Sequence, residues 1–122
     1  MAKFEILLVE DEEHLHDALK LNLEMEGYIV SSAFDGPNAL KQIQQAHFDL
    51  IILDFDLAKN SGEEVLRNMR LKSVTIPVIA MDRYDNAYGV TKILDIGAND
   101  YISKPFDIDD LCKRVHTISI KS

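Results

Sequence analysis

Two short apolar runs in this chain end in pairs of carboxylates. The first run, near the N-terminus, is followed by Glu10 and Asp11. The second, residues 50–53, is followed by Asp54 and Asp56. A short apolar run bounded by turn residues indicates a strand that is buried on both faces. A carboxylate at the carboxyl end of such a strand lies where open α/β sheets bind their ligands.

The side chains that follow the strands can support phosphoryl chemistry around a metal ion. Carboxylates without Cys or His among them suit a hard, oxygen-preferring ion such as Mg²⁺. A carboxylate can also be the nucleophile that accepts a phosphoryl group, and a nearby lysine can neutralise that group as a point charge. Since the carboxyl ends of parallel strands share one edge of a sheet, five side chains are expected to converge: Glu10, Asp11, Asp54, Asp82 and Lys104.

The elements that position these residues alternate five times along the chain. Strand patterns cover residues 5–9, 28–33, 50–53, 75–81 and 100–103, and apolar residues at helical spacing follow each of them. Ser61 and Asp85 are predicted to begin the third and fourth helices. Connections this short favour right-handed crossovers onto a parallel sheet. The predicted fold class is α/β, a doubly wound five-stranded parallel sheet flanked by five helices.

Length and composition limit the classes of protein that this chain can represent. Its 122 residues predict one domain over 1–122. A formal charge of −8 argues against direct contact with nucleic acid, because phosphate contacts need a basic surface. No apolar stretch approaches the length needed to span a membrane. The single cysteine, Cys112, rules out an internal disulfide and fits a cytoplasmic location.

Taken in order, these motifs resemble the receiver domains of two-component response regulators, the CheY-like family, over essentially the whole chain. The resemblance rests on four segments: the Glu10-Asp11 pair after the first strand, residues 48–54 ending in Asp54, residues 76–80, and residues 97–106. It implies the flavodoxin-like topology of that family, with strand order 2-1-3-4-5.

The resemblance also implies a role for each site residue. Asp54 is implied as the phosphate acceptor, attacking the phosphohistidine of a sensor histidine kinase. Lys104 would pair with the phosphoryl oxygens, and Tyr101 resembles the aromatic switch residue. The implied Mg²⁺ ligands are Glu10, Asp11, Asp54 and the main-chain carbonyl of Asp56.

The implied output is signalling rather than catalysis. Apart from its own phosphorylation from a phosphodonor and its own dephosphorylation, no enzymatic activity is expected. The face of the fourth helix, fifth strand and fifth helix would contact an output domain or partner protein, with a homodimer as one form of that contact. An effector domain beyond Ser122 is compatible with the resemblance and is not part of this sequence.

One position departs from the family pattern. The family has Ser or Thr after the fourth strand, whereas this chain has Asp82 followed by Arg83. An ionised carboxylate has no donor for a phosphoryl oxygen. Three arrangements are open: Asp82 binds the metal, Asp82 pairs with Lys104, or Asp82 points outward while Arg83 supplies donors. Pairing with Lys104 is our expectation, because it satisfies both charges without a ligand. The alternative function is an atypical receiver, a phosphate-independent interaction module.

Other protein classes fit the sequence less well. The Asp54-Phe55-Asp56 segment matches the Asp-x-Asp pair of haloacid-dehalogenase-type phosphatases, but that family has the pair after its first strand and needs a longer chain. A flavodoxin-like flavin binder shares the topology, but no phosphate-binding Ser/Thr/Gly loop follows the first strand here. His14 and His16 lie two apart on a helix and are expected to be solvated rather than ligands.

Overall fold

The structure, a computed structural model, describes residues 3–57, 62–83 and 87–121. Within these residues, five strands alternate with five helices. The strands are β1 (Glu5–Val9), β2 (Ile29–Ala33), β3 (Leu50–Asp54), β4 (Val78–Asp82) and β5 (Asp100–Ser103). The helices are α1 (Glu13–Met25), α2 (Gly36–Gln45), α3 (Gly62–Leu71), α4 (Ala87–Ile96) and α5 (Ile108–Lys121). The predicted helix starts at Ser61 and Asp85 lie outside the described residues.

The five strands form one parallel sheet in the order β2-β1-β3-β4-β5. This order confirms the predicted doubly wound architecture. The central strand β3 is buried along its whole length, from Leu50 to Asp54. That burial explains why its sequence is a continuous apolar run rather than an alternating one.

Successive residues of each strand point to opposite faces of the sheet, and each face has its own core. On one face, side chains such as Leu53 and Ala80 pack with residues of α2, α3 and α4. On the other face, side chains such as Ile52 and Met81 pack with residues of α1 and α5. This alternation has a period of two residues. It therefore determines on which face each strand-end side chain lies.

Strand β4 begins at Val78, three residues later than the Thr75 predicted from the sequence. Of the preceding segment, the carbonyl of Pro77 still accepts from the main-chain N–H of Ile51 in β3 at 2.9 Å, and a side chain binds the carbonyls before it. The guanidinium of Arg70 donates to the carbonyls of Val74 at 2.6 Å and Ile76 at 3.0 Å. It also donates to the carbonyl of Gly97 after the end of α4, so one half-buried cation satisfies backbone groups from two loops.

Candidate functional site

Asp54 is the last residue of β3, and its carboxylate lies at the carboxyl edge of the sheet, only 1% exposed. Both of its oxygens accept hydrogen bonds. Oδ1 accepts from the main-chain N–H of Asp56 at 2.9 Å, and Oδ2 accepts from Nζ of Lys104 at 3.1 Å. A buried charge is tolerated only when it is paired and hydrogen-bonded, and Asp54 meets both conditions.

Two more carboxylates from the β1–α1 connection lie beside Asp54. Glu10 is fully buried, and its oxygens accept from Nζ of Lys104 at 2.6 Å and from the N–H of Glu12 at 2.9 Å. Asp11 is exposed. One carboxylate oxygen from each of Glu10, Asp11 and Asp54 lies within 4.8 Å of the other two. A set of oxygen ligands at this spacing, two buried and one open to solvent, fits a hard divalent cation such as Mg²⁺ that keeps part of its water shell.

Lys104 neutralises two of these carboxylates at once. Its side chain is 18% exposed and approaches the two carboxylates from the loop after β5. Desolvation alone would lower the pKa of Lys104, but the hydrogen bond to Glu10 and the negative charges of Asp54 and Glu10 outweigh it, so the pKa is raised. Lys104 is therefore a firmly protonated cation.

Glu10 shows the opposite balance. Burial raises the pKa of Glu10, and the charge of Asp54 adds to this effect. The hydrogen bonds from Lys104 and from the N–H of Glu12 act against it without cancelling it. The site thus holds more negative charge than Lys104 can compensate, which is the electrostatic condition for binding a divalent cation.

The expected ion pair between Asp82 and Lys104 is wrong. Among the described residues, Lys104 pairs with Glu10 and Asp54. The register explains this result: Asp54 is opposite Met81, so Asp82, the next residue, points to the other face of the sheet. There its Oδ1 accepts a hydrogen bond from the main-chain N–H of Arg83 at 2.7 Å.

Arg83 reaches across the site from the end of β4. Its Nη2 lies 2.6 Å from Oδ2 of Asp56, in the loop after β3. Both side chains are solvent-accessible, at 66% and 36% exposure. This ion pair connects the loop after β3 with the loop after β4. Of the predicted site, the structure brings Glu10, Asp11, Asp54, Asp56 and Lys104 together at this edge.

Tyr101 lies in β5 opposite Ala80, on the face of the sheet covered by α2, α3 and α4. It is half-buried and packs against the core of that face. By alternation, Asp82 points to this same face. The switch role predicted for Tyr101 stays a prediction.

The prediction that His16 is solvated is wrong. His16 is 1% exposed, and its Nδ1 lies 2.8 Å from the carbonyl oxygen of Glu10 while its Nε2 lies 2.7 Å from Oγ of Ser32. Its ring stacks on Phe34 at 4.3 Å. The spacing carried the signal: His16 lies three and seven residues before the buried Leu19 and Leu23, on the same helical face. His16 fixes the main chain of the β1–α1 connection directly beside the acidic pair.

Comparisons with known proteins agree on the type of domain. The family model described as the response regulator receiver domain matches residues 6–116. The transcriptional regulatory protein YkoG of Bacillus subtilis is 42% identical over 115 residues, which cover 94% of this chain and 50% of YkoG. The chain thus spans about half the length of the curated relatives it matches.

Solved structures give the same result for the fold. The receiver domain of the Francisella response regulator 1452 superimposes with a TM-score of 0.95 at 28% identity, covering 98% of both chains. The response regulator TrrA of Thermotoga maritima, in complex with Mg²⁺–BeF, superimposes with a TM-score of 0.84 at 31% identity, covering 94% of this chain and 98% of TrrA.

Proposed function

This chain belongs to the family of response regulator receiver domains, and on that premise we propose that Asp54 accepts a phosphoryl group from the phosphohistidine of a sensor histidine kinase. One observation carries the proposal. Asp54 is a buried carboxylate that shares the ammonium group of Lys104 with Glu10 and has ligand oxygens of Glu10 and Asp11 within 4.8 Å.

In the proposed reaction, a carboxylate oxygen of Asp54 attacks phosphorus while the histidine nitrogen of the kinase leaves, and an aspartyl phosphate forms. Lys104 then exchanges its hydrogen bond to Asp54 Oδ2 for one to a phosphoryl oxygen. Mg²⁺, held by Glu10, Asp11, Asp54 and the Asp56 main-chain carbonyl, would supply positive charge for the phosphoryl oxygens. The N–H of Asp56, which donates to Asp54 Oδ1, keeps the carboxylate oriented throughout.

We place this reaction in the cytoplasm, with a sensor histidine kinase as the phosphodonor and no contact between this domain and nucleic acid. In the part of the chain that the structure describes, no helix has the length and hydrophobicity of a transmembrane segment. The role is that of a signalling domain, whose chemistry is limited to its own phosphorylation and dephosphorylation.

We further propose that phosphorylation is relayed through Tyr101 and the face formed by α4, β5 and α5. The recipient is an output domain or partner protein, or a second copy of this chain. Support for a transcriptional output comes from the similarity to YkoG, of which this chain matches half. In that case 1–122 is the receiver domain of a two-domain protein.

The test is incubation with acetyl phosphate and Mg²⁺, followed by intact mass spectrometry. The proposal predicts a mass increase of one phosphoryl group in the wild type and none in Asp54→Asn. An unmodified wild type beside a modified Asp82→Thr variant would contradict it. That result would favour the phosphate-independent interaction module, for which the structure offers no support, since Asp82 does not hold Lys104 in an ion pair.

A further inference from the structure

The ion pair between Arg83 and Asp56 lies next to the proposed phosphoacceptor. Asp54 is opposite Met81 in the parallel register. Asp56 lies two residues after Asp54, and Arg83 lies two residues after Met81. The pair therefore joins the two loops that follow these strand ends. Alternation puts Asp82 on the face of α2, α3 and α4, whereas Arg83, in the loop after β4, lines a cavity together with Lys104.

A cavity brings Arg83 and Lys104 to the same space. It has a volume of 370 Å³ and is lined by Glu12, Leu15, Arg83, Lys104, Pro105 and Phe106. Asp54 does not itself line the cavity, but both of the cations that line it contact the surroundings of Asp54: Lys104 binds Asp54 directly, and Arg83 binds Asp56 two residues further on.

Lys104 by itself is a poor match for a phosphoryl group. Its ammonium is shared between Glu10 and Asp54. A phosphoryl group carries about −1.5 to −2 charges near neutral pH and presents three acceptor oxygens. Asp82 has no donor when ionised, and its carboxylate is turned toward the N–H of Arg83. The hydroxyl donor that the family has after the fourth strand is therefore missing here, and a guanidinium can bind phosphoryl oxygens with two parallel hydrogen bonds.

The pair between Arg83 and Asp56 is suited to exchange. With 66% and 36% of the two side chains exposed, it is an ion pair of the kind that contributes little to stability. Moving the guanidinium from a single carboxylate to a doubly charged phosphoryl group increases its electrostatic attraction. The hydrogen bond from the Arg83 N–H to Asp82 fixes the main chain from which the side chain would move.

We propose that Arg83 is the phosphoryl-binding donor of this receiver, held by Asp56 in the unmodified chain and transferred to the phosphoryl oxygens when Asp54 is modified. This inference rests on the proposed function. It makes Asp56 a competitor that restrains Arg83 before phosphorylation.

The experiment measures the affinity for beryllofluoride, a mimic of the phosphoryl group, by fluorine NMR in the presence of Mg²⁺. Arg83→Ala removes two charge-assisted hydrogen bonds to the probe. We expect it to bind beryllofluoride about tenfold or more weakly, because hydrogen bonds between charged groups are stronger than neutral ones. Arg83→Lys should recover part of this loss, as it keeps the charge without the planar fork. The matched control is Arg67→Ala, which removes another exposed arginine. Nε of Arg67 lies 3.0 Å from Oε2 of Glu63 on α3, away from the site, so this variant should leave the affinity unchanged.

A double-mutant cycle isolates the exchange. Asp56→Asn should strengthen binding in the wild-type background, partly by releasing Arg83 and partly by removing a negative charge. In the Arg83→Ala background only the second effect remains, so the gain should be smaller. Equal gains in the two backgrounds would overturn the exchange.

The outcomes separate this inference from the proposed function. If the wild type binds beryllofluoride and is phosphorylated on Asp54 while Arg83→Ala does both equally well, the proposed function stands and the role of Arg83 is refuted. Stronger binding by Arg83→Ala would also refute it, since Arg83 would then only obstruct the site. A wild type that neither binds the probe nor accepts phosphate would overturn both proposals. Urea denaturation of Arg83→Ala verifies that the variant is folded.

Discussion

Replacing Lys104 with methionine tests the electrostatic account of the site. The methionine side chain keeps an unbranched shape of similar length but removes the charge. It leaves two buried carboxylates, Glu10 and Asp54, without their cation. We expect Lys104→Met to lower the free energy of unfolding at neutral pH and to make stability strongly dependent on pH and on Mg²⁺.

The magnitude follows from the distances. Ion pairs at 2.6 and 3.1 Å each have a gross attraction of about 5 to 6 kcal/mol at an effective dielectric near 20. Desolvation of the ammonium offsets much of this gain. Breaking a buried pair by removing one partner costs about 3 to 5 kcal/mol, and the 18% exposure of Lys104 favours the lower end of that range. The expected loss is about 3 kcal/mol.

The pH dependence has a defined sign. The folded pKa of Lys104 is above its unfolded value of 10.5, so its stabilising effect is complete below 10.5 and is lost only as the pH rises through the folded pKa. The pKa of Glu10 is already raised above 4.5, and loss of the ammonium raises it further. The folded variant then binds more protons than its unfolded chain above pH 4.5, and its stability increases as the pH falls toward that value.

The assay is urea denaturation of the wild type and Lys104→Met at about pH 8 and about pH 5, with and without Mg²⁺. The difference between the two proteins should shrink at the lower pH and on adding Mg²⁺, since either a proton or the metal replaces the missing charge. Lys92→Met is the control, because Lys92 forms an exposed ion pair with Glu63 at 3.2 Å; it should cost at most about 1 kcal/mol. A loss of unfolding free energy in Lys104→Met that is equally small, or that depends on neither pH nor Mg²⁺, would refute the account.

Three further predictions concern Gly62 and His16 near the site and Asp49 at the opposite edge of the sheet. A Cβ at Gly62 would overlap the carbonyl oxygen of Asp54 and lie 2.6 Å from Cα of Phe55, so Gly62→Ala should cost about 2 to 3 kcal/mol and reduce phosphorylation. Gly27→Ala, with a φ of 96° and open space around it, should cost only about 1 kcal/mol and leave phosphorylation intact. His16→Leu removes the partner of the Glu10 carbonyl and should cost about 2 kcal/mol by urea denaturation; an unchanged midpoint would mean that this contact is unimportant. Desolvation raises the pKa of Asp49, but hydrogen bonds from the Glu5 N–H and His47 outweigh it, so the pKa is lowered overall. Asp49→Asn should therefore lower the free energy of unfolding by about 1 kcal/mol at neutral pH. That difference should vanish as the pH falls below the unfolded value of 3.8 and through the folded pKa; a constant difference down to low pH would contradict it.

The architecture could be predicted because its signals are local. The apolar runs before Glu10 and Asp54 predicted buried parallel strands, and the short connections between elements fixed the handedness of the crossovers. Convergence of Glu10, Asp54 and Lys104 followed from topology alone, since the carboxyl ends of parallel strands share an edge. The observed strand order confirms that reasoning.

The direction of the Asp82 side chain could not be predicted in the same way. Strand β4 is apolar at every position from Val78 to Met81, because both of its faces are buried. Such a strand has no alternation in its sequence from which to infer which face its last residue occupies. Only the register against β3, which aligns Met81 with Asp54, shows that the Asp82 side chain points away from the face on which Lys104 binds Asp54.

The start of β4 and the burial of His16 depended on tertiary partners. The residues before Val78 look like strand in the sequence, but the carbonyls of Val74 and Ile76 bind the guanidinium of Arg70, a contact that no local pattern encodes. His16 is buried because the carbonyl of Glu10 and the hydroxyl of Ser32 satisfy both ring nitrogens. Its helical spacing to Leu19 was visible in the sequence, whereas these partners were not.

The central claim is that Asp54, among several neighbouring carboxylates, is the residue that becomes phosphorylated. Reduction with borohydride after incubation with acetyl phosphate and Mg²⁺ converts an aspartyl phosphate to homoserine, which peptide sequencing by mass spectrometry locates. We predict homoserine at position 54 and at no other position. Homoserine at Asp56 or Asp82, or none in a chain that binds Mg²⁺, would contradict the account.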